Sequence, residues 1–178
     1  MDGNDLPILC KALAFASHKH SDQRRKDSKA SPYINHPISL TDVLVNEGGV
    51  TDINVICGAL LHDTVEDTDT TFDELLNSFG KTIADIVMEV SDDKSLTKAK
   101  RKQLQIDHAP HKSNEAKLVK LADKICNLRD ITHSPPADWD TKRKQQYFDW
   151  AKQVVDGIRG TNSKLEKVFD DVYDLGIN

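Results

Sequence analysis

Ile53-Asn54-Val55-Ile56-Cys57-Gly58-Ala59-Leu60-Leu61-His62-Asp63 decides the fold class. Ile53, Ile56, Cys57, Leu60 and Leu61 recur at the i, i+3, i+4, i+7, i+8 spacing of one helical face, and the helix ends on a His-Asp pair. The same period returns in Leu118, Leu121, Ala122 and Ile125, and in Tyr147, Trp150, Ala151, Val154, Val155 and Ile158. It returns once more in Leu165, Val168, Phe169 and Val172. No stretch alternates with period two and β-branched enrichment, so an all-α fold is expected.

Helix boundaries are marked around these stretches. Gly48-Gly49 closes one helix, and Thr51-Asp52 is placed to cap the next. Thr71-Phe72-Asp73-Glu74 opens a helix with an acidic first turn, and Gly80 follows its apolar face. Ser134-Pro135-Pro136 breaks the chain before a final helical pair. With 178 residues and no linker or repeat, one domain over 1–178 with a core from about 9 to 175 is expected.

Composition narrows the function. The chain is 38% hydrophobic and 30% charged, which reads as soluble and globular, and no apolar run approaches a membrane span. No basic segment followed by an apolar stretch opens it, so no secretory signal is expected. Cys10, Cys57 and Cys126 show no C-x-x-C spacing and lie in helical stretches. Buried, reduced thiols and a cytoplasmic setting are expected. The net charge of -5 argues against binding a nucleic-acid polymer. Arg24-Arg25-Lys26 and the Lys98–Lys102 segment are local basic clusters, suited to a small phosphorylated ligand or else to a solvated helix end.

His62 and Asp63, with His36 upstream and Asp123 downstream, form a mixed nitrogen/oxygen set suited to a divalent cation such as Mn²⁺. Asp123 falls at the polar boundary of the apolar face made by Leu118, Leu121 and Ala122. Two such helices packed by their apolar faces would present ligands at one rim. If a helical turn continues past His62, Glu66 and Asp67 lie four residues beyond His62 and Asp63 and share their faces. A divalent ion acidifies water, and a free carboxylate beside it can take the proton. The plainer readings are an acidic loop for Glu66 and Asp67 and a helix-terminal residue for His36. His18, His20, His108, His111 and His133 show no partner spacing and are given no role.

Three blocks then agree in order and spacing: Tyr33-Ile34-Asn35-His36-Pro37, Ala59 to Thr68, and Lys120-Leu121-Ala122-Asp123-Lys124 through Asn127-Leu128-Arg129-Asp130. On these residues the chain resembles the HD-domain hydrolases of (p)ppGpp over nearly its whole length. The resemblance implies an all-helical fold of about ten helices, one Mn²⁺ ion, and release of pyrophosphate from the 3′ position of guanosine tetraphosphate to leave GDP. It assigns metal binding to His36, His62, Asp63 and Asp123 and catalysis to Glu66 and Asp67. It assigns substrate contacts to Arg25, Lys26, Lys98, Asn127, Trp139 and Tyr147. Tyr147 and Trp139 suit either stacking on the base or packing in the core. NADPH, losing its 2′-phosphate, is an alternative substrate, and a nucleotide sensor without turnover is a further alternative.

Overall fold

A computed structural model describes residues 5–27 and 29–177; the ends of the expected 1–178 span and Ser28 lie outside them. The helices are α1 (Asp5–Lys19), α2 (Asn35–Asp42), α3 (Ile53–Leu61), α4 (Thr64–Asp67) and α5 (Phe72–Phe79). They continue as α6 (Lys81–Val90), α7 (Lys98–His108), α8 (Asn114–His133), α9 (Thr141–Asp156) and α10 (Ser163–Ile177). A π-helical turn, Val43–Glu47, extends α2. Extended pairing among the described residues is confined to one bridge, Arg24 with Pro32. The fold is all-α, and among the described residues no helix is long and apolar enough to cross a membrane.

Local chemistry sets the ends. The Asp52 carboxylate accepts from the Asn54 N–H at 2.8 Å, and the Thr71 hydroxyl accepts from the Glu74 N–H at 3.2 Å. Thr97, Ser113 and Asp140 cap α7, α8 and α9 in the same way. Gly80 turns the chain between α5 and α6 at φ +83, where any other side chain is strained.

α3 is buried from Val55 through Leu61 and packs against α1, α2, α6 and α8. A helix apolar on all sides belongs inside. A Cβ on Gly58 would lie 2.6 Å from Ile86 Cγ2, so the missing side chain lets α3 approach α6. On one side of α3 lies a core of Ala12, Ala16, Leu60, Leu61, Leu75 and Phe79. On the other lies a larger core around α8, with Val119, Leu121, Ile125, Leu128, Phe148 and Phe169.

Two sequence expectations are corrected here. Asp123 does not sit on a polar boundary: α8 is enclosed by neighbours, and Lys120, Asp123 and Lys124 are all buried. Cys57 and Cys126 are buried, but Cys10 is exposed, because α1 turns Ala12 and Ala16 inward and Cys10 away.

Candidate metal centre and substrate cavity

Three helices converge on one buried point. His36 lies in the first turn of α2, His62 directly follows α3, and Asp123 lies midway along α8. One ligand atom from each falls within 4.8 Å of the others. The His62 Nδ1–H donates to the Ala59 carbonyl at 2.9 Å, which leaves the Nε2 lone pair facing the centre. Nε2 stands 2.9 Å from Asp63 Oδ2, and His36 Nε2 stands 3.3 Å from Asp123 Oδ1. Yet His62 Nε2 is buried without an aligned hydrogen-bond partner, as is His36 Nδ1.

Nitrogen and carboxylate lone pairs gathered this closely, without hydrogen bonds to reconcile them, suit a cation between them. The donor set of two imidazoles and carboxylate oxygens fits a divalent ion. Asp63 stands beside the three-residue group, its Oδ2 accepting from the Tyr33 hydroxyl at 2.5 Å.

Electrostatics hold the two carboxylates in the ionised form a ligand needs and draw positive charge to the centre. Burial pushes the Asp123 carboxyl up, but the Lys124 ammonium, with His36 and His62, holds it well below the usual range. Burial likewise opposes ionisation of Asp63, and His62 and His36 outweigh it. Burial lowers the His62 imidazole, while Asp63 and Asp123 raise it by more. Outer contacts hold the geometry: Lys124 Nζ donates to Asp123 Oδ2 at 2.9 Å, and Asn127 Nδ2 donates to Oδ1 at 2.6 Å.

The helical turn past His62 does resume, as the single turn α4, with the Asp67 N–H donating to the Asp63 carbonyl at 2.8 Å. Glu66 Oε2 accepts from the Asp92 N–H at 3.1 Å, and Oε1 lies 3.4 Å from Arg101 Nη1. Burial raises the Glu66 carboxyl above its ordinary value, helped by Asp92 and Asp63, against the pull of the Asp92 N–H. Asp67 is paired with Lys94 and lies 3.4 Å from the Tyr33 hydroxyl. Its carbonyl accepts from Gln23 Nε2 at 2.6 Å. Gln23 also contacts the buried His20 ring, so that histidine has a supporting place.

A cavity of about 440 Å³ opens beside the centre, with His36 in its wall. Arg25, Lys26, Asn127, Trp139 and Tyr147 line it, together with Arg129, Asp130 and His133. Arg25 is paired with Asp130 across the opening, and Arg129 is held by both Glu47 oxygens at 2.6 and 2.8 Å. Trp139 and Tyr147 lie 5.6 Å apart between ring centres with their planes tilted by 51°, and both pack on the core while lining the cavity. Lys98 is exposed at the start of α7 and does not join this wall.

Tyr33, Lys94, Arg101 and Lys124 escaped the sequence reading as site residues. Lys124 had a signal, adjacency to Asp123; Lys94 and Arg101 reach the acidic pair only through the fold.

Helices converging on a histidine and aspartate cluster that could hold a metal ion define a class of helical protein. The HD domain family matches residues 12–149, and the chain belongs to that family. It is 53% identical over 173 residues to the guanosine-3′,5′-bis(diphosphate) 3′-pyrophosphohydrolase MESH1 of Danio rerio, covering 97% of this chain and 96% of that one. The namesake from Xenopus tropicalis is 53% identical over 175 residues, covering 98% of each. Among solved structures, a metazoan orthologue of SpoT that hydrolyses ppGpp matches with a TM-score of 0.91 at 47% identity, covering 94% of both chains.

Proposed function

We propose that this protein is a metal-dependent hydrolase that converts guanosine tetraphosphate and water to GDP and pyrophosphate by cleaving the 3′-pyrophosphate. The observation that carries the reading is the buried His36, His62 and Asp123 cluster at the edge of a cavity with cationic and aromatic walls. Similarity to the pyrophosphohydrolases named above supports the substrate.

His36, His62, Asp63 and Asp123 would hold one ion, for which Mn²⁺ suits the mixed ligand set. Such an ion acidifies water and polarises a phosphoryl oxygen. Glu66, its carboxyl raised by burial, accepts the proton of the attacking water. Asp67 orients that water, and Tyr33 braces Asp63 and Asp67 together. Arg25 and Lys26 offset the substrate's phosphate charge, with arginine able to grip two oxygens. Trp139 and Tyr147 offer ring faces to the base, and Asn127 steadies Asp123 at the cavity wall. Lys98 serves as a distal cation, reaching the phosphates only if the start of α7 moves. The unpaired thiols support a cytoplasmic setting.

The test is ion-exchange analysis of products after incubating protein, Mn²⁺ and guanosine tetraphosphate, with Asp63→Ala as control. GDP and pyrophosphate from the wild type alone are expected. Unchanged substrate refutes the reading and moves the same assay to NADPH.

A further inference from the structure

A second, smaller cavity of about 200 Å³ lies among the end of α6, the loop that follows it, α7 and α8. Its walls include Arg101, Gln105, Lys112 and Lys120, with Asp92 and Asp93. Lys120 is only 8% exposed, and its ammonium has no hydrogen-bond or ion-pair partner among the described residues. Arg101 Nε and Gln105 Oε1 are buried and likewise unpartnered. Lys112 reaches only a neutral acceptor, the Glu89 carbonyl. Of the two acids, Asp93 is exposed and takes the Ser95 N–H at 2.9 Å, so its charge is solvated. Asp92 accepts from Gln105 Nε2 at 2.8 Å.

Water could fill such a space, but it adds no charge beside the Lys120 ammonium, which Asp123 and Asp92 attract only through space, whereas an anion makes direct contact. The bond from Gln105 Nε2 to Asp92 fixes the amide, so its buried Oε1 is left as an acceptor without a donor at the cavity wall. An anion in this space accepts from Lys112 and Lys120 and adds negative charge beside Arg101.

We propose that this cavity is a second oxyanion site, for inorganic phosphate or pyrophosphate. The site is joined to the acidic pair by two groups: Arg101, whose Nη1 faces Glu66, and Asp92, whose N–H holds Glu66. The connection to turnover, in which the site receives released pyrophosphate, rests on the hydrolase reading; binding itself does not.

The test is calorimetric titration of chelator-treated protein with inorganic pyrophosphate, orthophosphate and sulfate at neutral pH. The expected result is saturable binding, tightest for pyrophosphate, which carries the most negative charge, with sulfate weaker than pyrophosphate. Loss of one charge-assisted bond weakens binding at least about tenfold in Lys112→Met and Lys120→Met. Arg25→Ala weakens any pyrophosphate held in the larger cavity but leaves this binding event in place. Lys120→Met removes a buried, unpaired charge, so its Tm is expected at or above the wild-type value, which separates lost binding from lost fold. Absence of saturable binding overturns the proposal. So does binding that survives both lysine variants, disappears in Arg25→Ala, or is as tight for sulfate. Because neither metal nor turnover is needed, failure here leaves the hydrolase reading standing.

Discussion

Replacing Glu66 by glutamine separates proton transfer from metal binding. The amide keeps the volume and can still accept from the Asp92 N–H, which spans 3.1 Å, but it cannot take a proton from water. Its ionic partners are distant, Arg101 at 3.4 Å and half-exposed Lys94 at 3.7 Å. Such partly solvated pairs contribute at most about 1 kcal/mol, which for a chain of this length is a Tm change of roughly 2–4 °C or less. A positioned general base contributes about 10²–10⁴-fold, so kcat should fall by that factor, equivalent to about 3–5 kcal/mol of barrier. KM should stay level or drop, since one negative charge facing the phosphates is gone. The assay is steady-state release of pyrophosphate from guanosine tetraphosphate, with bound metal measured on the same samples. The pH profile supplies a further check. Wild-type kcat is expected to decline as pH falls through the raised Glu66 value, because protonation removes the base, and this limb should vanish in the variant. A kcat within about threefold of wild type, at unchanged metal content, would refute Glu66 as the base.

Asp63→Ala and Asp123→Ala should each lose bound metal and activity together, read by elemental analysis beside the product assay; an active, metal-replete variant would remove that residue from the ligand set. Lys124→Met leaves every ligand in place but frees Asp123 Oδ2, so metal affinity should weaken about 10–100-fold in a chelator competition. Gly58→Ala drives a methyl to 2.6 Å from Ile86 Cγ2, and overpacking of this kind should cost about 1–3 kcal/mol in urea denaturation. In a thiol-labelling time course on folded protein, Cys10 should react first. Burial pushes the Cys57 thiol up to about 11 and Cys126 higher still, so rapid labelling of all three would contradict the packing.

Helix positions were legible because periodicity and capping are local. The apolar repeat of Ile53 to Leu61, the caps at Asp52 and Thr71 and the turn at Gly80 depend on residues within a few places of one another. The metal-ligand candidates could be named from the sequence too, since imidazoles and carboxylates carry their chemistry wherever the helices go. What packing alone decided is how those groups are surrounded. Asp123, read as a boundary residue, is buried because α8 is enclosed, and Cys10 is exposed because α1 shows its small residues to the core. Lys98 is set apart from the larger cavity, while Tyr33, Lys94 and Arg101 reach the acidic pair from other elements. The Lys120 ammonium enters a cavity whose walls span three parts of the chain. Spacing in one chain says which residues share a helical face. Burial, proton affinity and partnership depend on which faces meet, and that is settled only when distant helices pack.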